Sequence, residues 1–220
     1  MGCLLAKYEQ IYFAGHSTTK LQFRRTWRSI SVLLSGRTFL FVLSLLLWMG
    51  ACNPKNKYEE MVQAALSSNI RYDSLFFGLY FNMTPHAFFE HCFEMNQKGL
   101  FFQSPNGTEV QYTFENEFQY PVIFNFFPNL KDSTIHELRG HLYYQHWTPY
   151  QKKYSADSLQ REVVALFEKW YGDPFIKIPH PQALLGNIYV KIDGNRKISI
   201  YNNLDNRKVE VWFVDLSKTE

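Results

Sequence analysis

Apolar and polar positions fall into two stretches with the same order of elements. In the first, the run Leu75-Phe76-Phe77-Gly78-Leu79-Tyr80-Phe81 predicts a strand. Thr84 then supplies a cap oxygen, Pro85 suits a first helical position, and Gly99 marks an end, so a helix is predicted over 85–98. Its apolar positions are Phe88, Phe89, Cys92, Phe93 and Met95. Strands are predicted near 100–103, 108–114, 120–127 and 134–147, with Ser104-Pro105-Asn106-Gly107 and Asn116 as turn signals.

In the second stretch, Ser155 to Ser158 offers cap residues. Leu159, Val163, Leu166, Phe167 and Trp170 then make a stripe at helical spacing that Gly172 ends. Strands follow near 175–178, 187–193, 197–203 and 208–215, and Asp193-Gly194-Asn195 is a hairpin signal. A shorter amphipathic helix over 57–67 precedes both stretches, through Tyr58, Met61, Val62, Ala65 and Leu66. The pattern predicts an α+β fold: a helix followed by an antiparallel β-meander, repeated twice over 73–147 and 155–215, with the helices on one sheet face. Phe88, Phe93, Val163, Phe167 and Trp170 are the expected helix-to-sheet contacts, within a single domain spanning 57–220.

Upstream the pattern changes character. Phe39 to Ala51 is an uncharged apolar run behind Arg37, the length of a signal-peptide core and short of the ~20 residues a spanning helix needs. It ends at Met49-Gly50-Ala51-Cys52, and polar residues 52–56 follow as a tether. Residues 1–51 therefore read as a leader, and the long basic segment 1–28 fits a true start further downstream. A plain signal anchor over Ile30–Ala51 is the competing reading, with Arg37 snorkelling to the interface.

Charge follows the same division. The 220 residues carry a net +3, but residues 1–51 hold six Lys/Arg against Glu9 alone, so the body is slightly acidic. That removes the electrostatic case for a nucleic-acid partner. Three Cys (Cys3, Cys52, Cys92) make no disulfide framework.

Gly50, Ala51 and Cys52 at the end of an apolar run resemble the lipobox of bacterial lipoproteins, with Met49 where that family prefers Leu. The resemblance implies cleavage between Ala51 and Cys52, acylation of the Cys52 thiol and a membrane partner reached through that lipid. Asn53, in place of the Asp that resembles an inner-membrane retention signal, leans toward the outer membrane. Leu166–Gly172 and Tyr189–Arg196 resemble segments of Bacteroidota lipoproteins. Gly78–Pro85 is loosely similar to the opening of small envelope modules such as the assembly lipoprotein SmpA/OmlA and the β-lactamase inhibitor protein, with Asn82 where those have Gly.

Candidate chemistry is thin. His136 and His141 stand at i and i+5, not the i and i+4 of a zinc-protease helix, and on a strand they would point to opposite faces. Cys92 lies among apolar residues where a thiol is inert. Glu115 and Glu117 read as turn charge, Asp173 as loop charge. The Asp-Ser/Thr pairs at Asp73, Asp132 and Asp157 resemble O-glycosylation acceptors of Bacteroidota, and equally read as turns and caps. No catalytic residues, cofactor or metal ligands are assigned. Among the aromatics Phe124, Phe126, Phe127, Tyr143, Tyr144, Trp147, Tyr150 and Tyr154, most read as core. Trp147 and Tyr150, flanking Thr148-Pro149, are the candidate exposed binding pair. The expectation is a non-catalytic envelope lipoprotein that binds an envelope protein or glycan. The alternative is an envelope enzyme acting on glycans in an aromatic-lined cleft.

Overall fold

The computed structural model describes residues 54–148, 150–172 and 174–218. Among these residues three α-helices, α1 (Pro54–Ser67), α2 (Pro85–Gln97) and α3 (Ala156–Tyr171), accompany one antiparallel sheet. Its strands are β1 (Phe102–Gln103), β2 (Val110–Phe114), β3 (Val122–Lys131), β4 (Thr134–Tyr144), β5 (Ile176–Pro179), β6 (Asn187–Asp193), β7 (Arg196–Asn202) and β8 (Val209–Asp215). They lie in the order β1-β2-β3-β4-β8-β7-β6-β5, so the last strand of each run of four meets the other at the centre. The α+β class holds. α1 begins at Pro54, inside the stretch read as a polar tether.

Period-2 alternation explains the core. Along β4, Leu138, Gly140 and Leu142 face inward and pair with Phe213, Val211 and Val209 of β8. On β3, Val122, Phe124 and Phe126 join them. α3 lies over β4, β7 and β8. Its Ser155 cap accepts a hydrogen bond from the Ser158 N–H, and Leu159, Val163 and Phe167 are all buried. Gly140 has a specific reason to be glycine: a Cβ there would come within 2.3 Å of Phe124 Cε2 and 2.8 Å of the Asn125 carbonyl oxygen.

Three expectations are corrected. Leu75–Phe81 is a buried tight turn, not a strand, because Phe77 and Gly78 both take positive φ and the Leu75 N–H donates to the Leu79 carbonyl. The turn drives Phe76 between Phe124, Phe126 and Phe213, at ring-centroid distances of 5.1, 5.0 and 5.9 Å. Secondly, Phe93 is not a core contact: α2 buries only Phe88 and Met95 and leaves Phe93 in solvent. Trp170 is partly exposed, although its ring meets Phe77, Phe114 and Phe167. Thirdly, the parity argument for His136 and His141 does not hold. A bulge sets Asn129 opposite Glu137 and Leu130 opposite Ile135, so Ile135 and Leu138 are both core and the alternation slips between them.

A polar latch is centred on the buried Asn195 and Asp215. The Tyr72 N–H donates to Asn195 Oδ1 (2.7 Å), and Asn195 Nδ2 donates to Asp215 Oδ1 (3.1 Å) and Asp73 Oδ1 (3.2 Å). Arg71 Nη2 reaches Asp215 Oδ2 at 3.2 Å. This binds the segment before the turn to the β6–β7 hairpin and the end of β8. Gly194 sits at φ +53°, and a Cβ there would strike the Ile70 carbonyl oxygen at 2.1 Å.

Two stability changes follow. Gly140→Ala should cost about 2 kcal/mol through forced displacement of Phe124, read by urea unfolding. Asp215 is fully buried; burial alone would raise its pKa, but hydrogen bonds from Ser217 and Asn195 and the Arg71 charge outweigh that and lower it. Asp215→Asn should therefore cost about 3 kcal/mol at neutral pH, and the difference from wild type should shrink in acid as the native carboxyl protonates.

Candidate functional site

The sheet face opposite α3 carries a different alphabet. The positions between the core residues of β4 are Glu137, Arg139, His141 and Tyr143. β8 adds Glu210 and Trp212, β7 adds Ser199 and Tyr201, and β3 adds Asn125 and Phe127. α1 meets the sheet at β6.

These side chains hold one another in place. Arg139 donates from Nε to Glu137 Oε1 (2.7 Å) and from Nη2 to Oε2 (3.1 Å), a two-bond fork. Asn129 Nδ2 donates to Glu137 Oε2 at 3.0 Å. The guanidinium then lies 4.4 Å from the Trp212 ring centroid, and Trp212 meets Tyr201 edge-on at 5.4 Å. Further along β4, His141 stacks near Tyr143 and places Nδ1 3.7 Å from Glu109 Oε1. The result is a row of fixed charges and ring faces across the centre of the sheet.

Burial sets the protonation states. It works against the Glu137 carboxylate, but the hydrogen bonds from Arg139 and Asn129 outweigh it, so the pKa is lowered and the charge is kept. His141 is lowered by burial and the nearby Lys208 charge despite Glu109 and Glu210, so it is neutral near pH 7. The Oδ1 of Asn125 and the Nδ1 of His136 are buried without hydrogen-bond partners. Such a surface can bind by charge-assisted hydrogen bonds and stacking.

Of the residues singled out in the sequence, Trp147 and Tyr150 are exposed, beyond the end of β4. Trp147 packs under Arg207 of the β7–β8 turn, with the guanidinium 5.3 Å from the ring centroid. Phe124, Phe126 and Tyr144 are core, whereas Phe127, Tyr143 and Tyr154 are half-buried. Cys92 is half-buried, and desolvation pushes its thiol up to about 11, so it stays protonated. Glu115 and Glu117 are exposed in the β2–β3 connection. Asp132 and Ser133 form the tight β3–β4 turn at positive φ, and Asp157 lies in the first turn of α3, so both pairs do turn or cap duty. Ala51, Cys52, Pro149 and Asp173 lie outside the described residues.

A concavity of about 510 Å³ is walled by Tyr72, Phe77, Trp170 and Tyr171. Its charged group is Arg196, which lies between the Tyr72 and Tyr171 rings and donates to the Ser74 carbonyl and to Asp193. No Asp or Glu lines it, so it lacks the carboxylate pair of glycoside hydrolysis.

Among the described residues, no group of three or more His, Cys, Asp or Glu is placed to hold a metal ion. No helix there is long and apolar enough to cross a membrane. Comparison with known protein families, with curated proteins and with solved structures finds no match to this chain.

The row on β4 and β8 escaped the sequence reading. Its signal was present in the alternation of Glu137, Arg139, His141 and Tyr143, which attention to the two histidines alone does not extract. Because Glu137 has a lowered pKa, its contribution is present near neutrality and is lost as pH falls through the folded-state value. Thermal unfolding of Glu137→Gln should show a loss of about 1 kcal/mol at pH 7 and a shallower decline into acid than wild type.

Proposed function

We propose that this protein is an envelope lipoprotein, held at the outer membrane through an acylated Cys52. It works outside the cytoplasm as a non-catalytic interaction module. Its partner is an envelope protein or glycan, met by the sheet face of Glu137, Arg139, Trp212 and Tyr201. The observation that carries the binding role is that row: four side chains preorganised by mutual contacts on a face that α3 leaves open. Aromatic rings and arginine are the groups that dominate binding energy at interfaces.

The anchoring role rests on the lipobox-like Met49-Gly50-Ala51-Cys52 and on the closeness of Cys52 to the start of α1 at Pro54. In this reading the body rides close to the membrane on a very short tether. Two or more acyl chains suffice for stable attachment. The same reading takes the two runs of strands as one helix–meander unit used twice, with a helix of each on the core face. Pairing of β1–β4 and of β5–β8 in chain order supports it.

Acyl labelling and intact-mass measurement of the membrane fraction test the anchor. The wild-type chain should begin at Cys52 and carry acyl mass, and Cys52→Ala should yield an uncut precursor or a released product. A wild-type chain that begins upstream of Cys52 without acyl mass would instead make the apolar run a signal anchor.

A further inference from the structure

Beside α2 lies an open groove of about 670 Å³, floored by Phe101, Val110 and Phe126. On its helical rim Phe89 and Phe93, one turn apart, are 68% and 64% exposed; on the strand side Phe102 and Leu130 are 47% and 48% exposed. Large apolar side chains left in solvent beside a concavity mark a binding surface. The helical wall runs from Pro85 to Asn96, about 17 Å at the helical rise. Glu109 is the one charged residue lining the groove, and no Lys or Arg lines it.

We propose that this groove holds one acyl chain of an amine-headed membrane phospholipid. Area argues against a folded partner or a second copy. A phenylalanine exposes roughly 200 Å² when free, so the four exposed side chains offer on the order of 400–500 Å². That is little more than half of the ~800 Å² each side contributes to a stable protein interface.

Polar satisfaction argues against a peptide strand. The Leu100 and Phe101 N–H groups both donate to the Met95 carbonyl. The Phe101 carbonyl accepts from Asn96 Nδ2, and the Ser104 N–H donates to the Glu109 backbone carbonyl. A peptide would bury backbone groups against a hydrocarbon floor, whereas an alkyl chain has none to satisfy. Length agrees, since one leaflet of bilayer hydrocarbon is about 15 Å thick. Charge selects the head group. Glu109 lines the groove, and no Lys or Arg is there to pair with a phosphate or carboxylate. A head group whose own ammonium balances its phosphate is therefore favoured over a free carboxylate.

The inference needs the protein to meet a bilayer, as in the proposed function, but it needs no acyl group on Cys52. To test it, the full chain would be reconstituted in nanodiscs containing phosphatidylethanolamine with a diazirine near the end of one acyl chain. Light-induced adducts would be mapped by peptide mass spectrometry. They should fall on the floor, at the half-buried Val110. The exposed-site double variant Phe89→Ser/Phe93→Ser should reduce them about tenfold, and Leu204→Ser, which removes an exposed leucine of the β7–β8 turn, should leave them unchanged. Adducts confined to Phe89 and Phe93 would mean that the patch only touches the bilayer surface, and would overturn the proposal. Equal labelling by a diazirine fatty acid would overturn the amine-headed ligand. No labelling, with a dimer in sedimentation that Phe93→Ser dissolves, would give the groove to a second copy instead. Loss of Cys52 acylation with floor labelling intact would count against the lipoprotein reading alone.

Discussion

The pairing of β4 with β8 is the constraint on which the rest of this structure depends. These strands end the two runs, and they alone join them into one sheet. Their register sets Leu138 against Phe213, Gly140 against Val211 and Leu142 against Val209, all inward. Because the side-chain period is two, a slip of one residue would turn Glu137, Arg139 and His141 into the core and Leu138 and Leu142 out to water. The core and the polar face are thus two readings of a single register. Gly140 helps to pin it, since the Phe124 ring occupies the space a side chain would need. The 70–74 latch on Asn195 and Asp215 ties the ends of β6, β7 and β8 to the aromatic turn that fills the centre.

Elements with strong local signals were legible in the sequence. The stripe from Leu159 to Trp170, bounded by Ser155 and Gly172, predicts the helix observed at Ala156–Tyr171. Alternation around Asp193-Gly194-Asn195 predicts the β6–β7 hairpin, since only a two-residue turn fits there. What failed did so where tertiary contacts overrule local pattern. Leu75–Phe81 has strand composition, but its apolar residues are needed as a plug, and positive φ at Phe77 and Gly78 folds it back on itself. The bulge at Asn129–Leu130 is equally silent in composition. It arises where the Ile135 N–H donates to the Met83 carbonyl and the Asn82 N–H to the Ile135 carbonyl, a pairing from outside the two strands.

The candidate site was half legible for a related reason. Trp147 and Tyr150 sit at a turn, and turn residues announce exposure. The row of Glu137, Arg139, Trp212 and Tyr201 lies within strands, where exposure depends on which face a helix covers. Alternation sorts those residues onto one face, but it does not say which face is open. That is decided by α3, whose buried Leu159, Val163 and Phe167 commit the opposite side of the sheet to the core.

The two main helices begin alike and end in different roles. Each starts at a side-chain cap, Thr84 for α2 and Ser155 for α3, yet α3 buries seven residues and α2 only two. The cause is sequence chemistry as much as position. In α3 the apolar residues keep to one stripe, with Asp157, Arg161, Glu168 and Lys169 outside it. In α2 the phenylalanines at 88, 89 and 93 spread over more of the helix circumference than the short β1–β2 edge can cover. The phenylalanines left over are what wall the groove. One half of the body therefore spends its helix on holding the sheet together, and the other keeps an apolar surface free beside the sheet's edge. That inequality keeps the exposed phenylalanines of α2 apart from the β4–β8 pairing, so the register does not depend on them.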